Sequence, residues 1–271
     1  MRGAMPRFPA ALAAALAALT FAPPATPQAV EPVLTLEATL RDFKDDHPDF
    51  EAFSNHERKP ILGVVQPRLS PDGKPVLDEA HLDEPEDRRM VTSPASFDQW
   101  FRNVPGVNIP KRVRLETEYD PRTRLFTFQR DNRRGGGWFP LDGEGWRDDQ
   151  APWFLWWQLP SHNYDFTTEI RTAFRYTAPS ERPGRPLIFE FHGDDDLWVF
   201  INGELVLDLG GVHPQISGSV DIDALAGELG LEPNVFYPLV IFHAERAVYE
   251  SNFKLQTNLL LLPSVSQSSY D

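Results

Sequence analysis

The sequence predicts an all-β chain, an antiparallel sandwich or barrel of many short strands with long loops and one or two short helices. Three observations carry this. Pro (26) and Gly (17) punctuate the 271 residues at short intervals, which suits short strands and turns rather than long helices. Apolar runs with full or partial period-2 alternation recur from Val33 to Leu262. Asn202-Gly203 stands between the runs LWVFI and ELVLDL, and that dipeptide accepts positive φ at both centres of a two-residue hairpin.

The elements follow in order. Arg2 and Arg7 precede an apolar run, Ala10 to Ala22, and the proline-rich PPATPQAV. This is the pattern of a secretory signal peptide, assigned to residues 1–29, with Ala22, Ala25 and Ala29 as alternative cleavage points. The run falls short of the ~20 residues that span a bilayer, so no membrane span is expected. Residues 30–262 form one domain, and 263–271 (SVSQSSYD) a disordered tail. Val33 to Leu40 alternates as a strand. Within the acidic stretch Arg41 to Phe53, Asp42 to Glu51 reads as a solvated element with Phe43, Phe50 and Phe53 pointing inward. Residues 66–94 form a long polar loop, and Ser96 to Phe101 a short helix capped by Ser96. Val113–Glu118 and Leu125–Phe128 are strands around the turn DPRT. RRGGGWF (Arg133 to Phe139) is a hairpin tip that lacks the lysine of a phosphate loop. The aromatic stretch Trp146 to Pro160 reads as core rather than as a sugar platform. Further strands are expected at Thr167–Tyr176, Leu187–Phe191, Leu197–Ile201, Leu205–Leu209, Tyr237–Phe242 and Asn252–Leu262, with a second helix at Asp223–Leu229.

The full chain carries a net charge of −14. Residues 1–30 hold two Arg and no acid, so the remainder has 24 basic against 40 acidic residues and stands at −16. Such a field repels nucleic acid and favours cations or neutral ligands. With no cysteine there is no disulfide framework despite the export signal.

Asp194, Asp195 and Asp196 lie in a loop directly after strand Leu187–Phe191. Two unit charges ~5 Å apart repel by roughly 1–3 kcal/mol at intermediate dielectric. A divalent cation converts that repulsion to attraction, and hard carboxylate oxygens suit calcium. Neighbouring side chains on a straight strand point to opposite faces, so two adjacent Asp can share an ion only if the backbone turns sharply or adopts a cis bond. The plainer reading is a solvated acidic turn.

Three long motifs decide between them: GDDDLWVFINGELVLDLGGVH, FHAERAVYESNFKLQT and HNYDFTTEIRTAFRY. With RDFKDDHPDFE, FDQWFRNVPGVN and FPLDGEGW they make residues 35 to 260 resemble the fibro-slime domain, which occurs in secreted and cell-surface proteins and is similar to the PA14 β-sandwich. That resemblance implies calcium-dependent sugar binding through an adjacent Asp pair joined by a cis bond. The pair maps to Asp194 and Asp195, with Asp196 where the relatives have glycine, which leaves open which two of the three are ligands. Asn252, in YESNF, is the best candidate for the further side-chain ligand, ahead of Glu250. The expected metal set is therefore Asp194, Asp195, Asp196 and Asn252. The expected ligand-binding set is Asp194, Asp195, Asn252 and His213, with His213 alternatively a structural imidazole.

Other chemistries fit less well. His192, Asp194 and His243 stand in the order of the two-His-one-carboxylate triad of non-haem iron oxygenases. His243, Glu245 and Arg246 read either as a buried ion-paired cluster or as neighbours of the ion. Glycosidase carboxylates stand ~5–9.5 Å apart across the scissile bond, which adjacent Asp residues do not. No G-x-S-x-G, H-E-x-x-H or cysteine nucleophile is present. The sequence thus predicts a secreted, non-catalytic, calcium-dependent module for surface or matrix glycans. The alternative is a structural module of the cell surface in which calcium only stabilises a loop.

Overall fold

The computed structural model describes residues 33–50, 59–131, 136–146, 162–248 and 250–262. The predicted leader and tail, Phe53 and most of the Trp146–Pro160 stretch lie outside these residues.

Eleven antiparallel strands make up the described architecture: β1 (Val33–Phe43), β2 (Asn108–Asp120), β3 (Leu125–Arg130), β4 (Phe166–Arg175), β5 (Ile188–Gly193), β6 (Asp196–Ile201), β7 (Glu204–Leu209), β8 (Ile216–Asp221), β9 (Phe236–Glu245), β10 (Phe253–Thr257) and β11 (Leu260–Leu261). The hydrogen-bonded order is β7-β6-β9-β4-β1-β2-β3-β10-β5-β8, with β11 added to the end of β4. The two ends of this ladder approach each other. A Cβ on Gly218 of β8 would stand 2.7 Å from Leu207 Cδ1 of β7, so only glycine lets the strands meet. The sheet therefore wraps around one apolar core, to which Leu36, Phe166, Phe189, Val199, Ile241 and Leu255 contribute.

β6 and β9 depart from simple alternation for a physical reason. Leu197, Val199 and Ile201 face the main core, while Trp198 and Phe200 face a second cluster with Val240 and Phe242 of β9. Phe50, Ile61, Val64, Met90, Phe97 and Trp100 cover this outer face. A strand buried on both sides reads as a continuous apolar run, which is what LWVFI is. The hairpin that follows has Asn202 at φ 53° and Gly203 at φ 85°, as its sequence demands.

The structure corrects several expectations. The first helix, α1 (Pro94–Phe97), is capped by Ser93 and not by Ser96. The Ser93 hydroxyl accepts from Ser96 N at 3.1 Å, and the Ser96 hydroxyl accepts from Ser93 N at 3.1 Å, a reciprocal capping box that places Pro94 in the first turn. The second helix, α2 (Ile222–Leu225), begins one residue early, because the Asp221 carboxylate accepts from Asp223 N and Ala224 N. β8 was not anticipated, since ISGSVD offers little apolar alternation. The expected last strand divides into β10 and β11 around Asn258, whose side chain bonds Ile188 N and Pro186 O.

The stretch Arg41 to Phe50 is not solvated throughout. Phe43 and Phe50 do stack inside, with ring centroids 4.4 Å apart. Asp42 and Asp49 are buried as well. Asp42 accepts from Trp146 N and Asn163 Nδ2, both at 2.6 Å. Asp49 accepts from Thr92 N at 2.7 Å and Trp100 Nε1 at 2.9 Å. These acids organise distant loops, so no local period could announce them.

Candidate functional site

The acidic loop links β5 to β6 at one end of the sheet. Gly193 makes room for it: a Cβ there would lie 2.3 Å from the carbonyl oxygen of Asn252 on the neighbouring chain segment. The Asp194–Asp195 peptide bond is cis. Asp194 and Asp195 are nearly inaccessible, at 2% and 3% exposure.

Each carboxylate of the triplet has its own partners. Asp194 accepts from Asn252 N at 2.6 Å and from Asn252 Nδ2 at 2.7 Å. Asp195 accepts from His213 N and from Arg246 N, both at 3.1 Å. Asp196 accepts from Gly211 N at 2.5 Å and from Arg246 Nε at 2.7 Å, and the latter is an ion pair with both side chains fully buried. Asp196, unlike its two neighbours, is ion-paired, and it ties the loop to Arg246. Asp194, Asp195 and Asn252 are brought together as expected, with Glu250 at the exposed rim, 3.3 Å from Asn252 Nδ2.

The histidines separate by role. His213 contributes its backbone to Asp195, while its ring nitrogens face the carbonyls of Pro214 (3.0 Å) and Leu209 (3.1 Å). That supports the structural alternative for its imidazole. His243 Nε2 donates to the Asp194 carbonyl at 2.7 Å. Burial pushes its pKa down to about 4, so the ring is neutral. His192 contacts the Ser217 hydroxyl at 2.6 Å across the β5–β8 pair. The iron triad of His192, Asp194 and His243 is therefore not assembled: the first ring is bonded elsewhere, and the third binds a backbone oxygen.

Arg246 ties the loop to the layer that covers the sheet. Its Nη1 donates to the carbonyls of Asp49 (3.0 Å) and Met90 (2.8 Å), and its guanidinium lies 4.6 Å from the Trp100 ring centroid. The expected His243–Glu245–Arg246 ionic cluster does not form, because Arg246 turns to Asp196 instead. Glu245 is completely buried, and neither carboxylate oxygen has a hydrogen bond. The Ser251 hydroxyl and the Ala247 amide approach it, but the hydroxyl is spent on the Trp138 carbonyl at 2.7 Å. Sequence reasoning missed the isolation of Glu245. Strand alternation, which sends residues 245 and 246 to opposite faces, was the signal available.

The electrostatics are dominated by acids. Burial, then the charge of Asp195, pushes Asp194 up to about 7 against the hydrogen bonds from Asn252. Burial likewise pushes Asp195 up to about 7, with Arg246 opposing and Asp196 adding to the rise. Glu245 is raised well above the usual carboxylate range by burial and then by Asp195 and Asp194. Four buried acids (Asp194, Asp195, Asp196 and Glu245) thus face one guanidinium. Among the described residues, no group of three or more His, Asp or Glu side chains stands ready to hold a metal as it is arranged. The donor chemistry still fits a hard cation: paired carboxylates, an amide side chain, and an orphaned buried carboxylate beside them.

No family model matches the chain. Protein psiJ of Dictyostelium discoideum is 33% identical over 236 residues, which take in 82% of this chain and 30% of psiJ. Protein psiD of the same organism is 31% identical over 244 residues, 88% of this chain and 43% of psiD. The chain spans less than half the length of these relatives, neither of which bears the fibro-slime name. Among solved structures, the PA14 sugar-binding domain from an RTX adhesin is 10% identical over 38% of this chain and 54% of its own, with a TM-score of 0.25. A subtype-switched Epithelial Adhesin 9 A domain from Candida glabrata, in complex with beta-lactose, is 11% identical over 86% of this chain and 90% of its own, with a TM-score of 0.32.

Proposed function

We propose that this chain is an exported, non-catalytic recognition module that binds surface or matrix glycans through a calcium ion in the Asp194–Asp195 loop. One observation carries the reading: two adjacent buried carboxylates accept from amide donors, while the ion pair of the nearby guanidinium is with Asp196. Such an arrangement is costly unless a positive partner joins it. The motif resemblance to the fibro-slime domain supports the same reading, and the leader sequence supports export. No described helix is long and apolar enough to cross a membrane.

Asp194, Asp195 and Asn252 would hold the ion. When bound, calcium supplies open coordination positions that vicinal sugar hydroxyls can fill. The chain's own part is to fix those ligands. Asn252 is anchored through its backbone and its amide to Asp194, and β5, β6 and β10 hold both segments in register. Nothing in the site resembles a separated acid–base pair, so turnover is not proposed. The depth of the pair favours a second reading, in which the ion only fastens the loop and partners bind elsewhere.

Thermal unfolding with excess calcium and with chelator tests the ion. At ~100 times the dissociation constant, calcium stabilises the native state by roughly 2.7 kcal/mol; no shift would remove the ion from the reading. A glycan array with wild type and Asp195→Asn then separates the two readings. A lectin loses calcium and glycan together, whereas a scaffold keeps its partners.

A further inference from the structure

We infer that Glu245 is the third carboxylate of the cation site, acting on the ion through its charge and restricting the site to ions of charge two or more. The inference rests on reading the loop as a cation site. Glu245 ends β9 opposite Phe166 of β4. It is 0% exposed and neither oxygen completes a hydrogen bond; the donors that approach it are the Ala247 amide and the Ser251 hydroxyl, the latter bonded to the Trp138 carbonyl. A purely structural carboxylate in such a place is expected to have an arginine or several N–H donors. Arg246, its sequence neighbour, offers neither. Its Nε goes to Asp196, its Nη1 goes to the carbonyls of Asp49 and Met90, and its backbone N–H goes to Asp195.

Both chain neighbours of Glu245 touch the acid loop: Ala244 pairs with Asp196 across β6 and β9, and Arg246 N donates to Asp195, so the charges of Asp195 and Asp194 act on Glu245 repulsively. Position and charge therefore work against the ion-free fold and for a cation placed at the pair. In the arrangement seen, Glu245 is not itself within a ready-made ligand group, so it is assigned as a positioning residue rather than a ligand. Arg246 is ion-paired to Asp196 and offsets the burial of Asp195 only in part, which leaves Asp194, Asp195 and Glu245 short of positive charge. A divalent ion offsets two of them and a trivalent ion all three, whereas a monovalent ion leaves most of the repulsion in place. Ligand charge count is also what tunes calcium affinity in oxygen-ligated sites.

The test is calorimetric titration of the whole chain with calcium and with terbium, for wild type and Glu245→Gln, beside unfolding curves in chelator. Glu245→Gln is expected to unfold at the same or a higher midpoint in chelator, to bind calcium at least tenfold more weakly, and to lose more still for terbium. A variant that shifts the midpoint but binds both ions as wild type does would make Glu245 structural and overturn the inference. Wild type binding neither ion would overturn the cation reading itself, and this inference with it. If Glu245→Gln does not fold, wild type alone decides. A terbium affinity at least tenfold above that for calcium is expected, and equal affinities would overturn the inference.

Discussion

In the ion-free chain, Asp195→Asn should gain stability over wild type as pH rises. Asp195 is raised from 3.8 to about 7 in the folded state. Between those values the native chain keeps a proton that the unfolded chain has released, so native stability falls as pH climbs through the window. The benefit is fully present below pH 3.8 and is lost as pH passes about 7. At 1.36 kcal/mol per pKa unit, the change from pH 5 to pH 8 comes to about 3 kcal/mol for one such group. Asn carries no such proton. Asp194 keeps a slope of its own, since burial is the first cause of its shift and Asp195 only the second. The lowered histidines His47, His81, His192 and His243 act in the opposite sense below pH 6.5. They are common to both proteins and cancel in the difference. The lowered acids Glu169 and Asp223 titrate below this window. The assay is urea unfolding followed by tryptophan fluorescence, in chelator, at half-unit steps of pH. A difference between variant and wild type that stays flat from pH 5 to 8 would refute the placement of Asp195 as a buried, under-compensated acid.

Three further outcomes are expected. Arg246→Met leaves Asp196 buried without its ion pair and should cost about 3–5 kcal/mol in urea unfolding; adding Asp196→Asn should recover a substantial part, and no recovery would argue against that pair as the cause. Gly193→Ala brings a Cβ to 2.3 Å from the Asn252 carbonyl, so about 1–3 kcal/mol of overpacking is expected together with weaker calcium binding; an unchanged calcium titration would detach Gly193 from the site. Phe200→Ala empties a fully buried position in the outer cluster and should cost about 3–5 kcal/mol, whereas a cost below 1 kcal/mol in the same assay would mean that the covering layer is not packed on β6.

The parts of the fold that were legible in the sequence are those whose signal is local. LWVFI, ELVLDL and the Asn-Gly turn between them specify β6, β7 and their hairpin without reference to anything else. β8 is illegible because its strand status depends on pairing with β5 and on Gly218 clearing Leu207, neither of which six residues can announce. At the site, a loop of three acids between apolar strands was readable, and so was Asn252 as its neighbour. Which acid turned to Arg246 was not, because that choice is made by the carbonyls of Asp49 and Met90, far away in sequence. The same distance hid the structural duties of Asp42 and Asp49. A carboxylate's role depends on who donates to it, and donors come from the whole fold.

The double burial of β6 and β9 limits where this fold can vary. With the core on one side and the covering layer on the other, Asp196–Ile201 of β6 and 239–245 of β9 are buried on both faces. Room for variation lies at the strand ends, where Gly211, His213 and Asn252 adjoin the acid loop. Arg246 stands at that junction, one hand on Asp196 and the other on the cover.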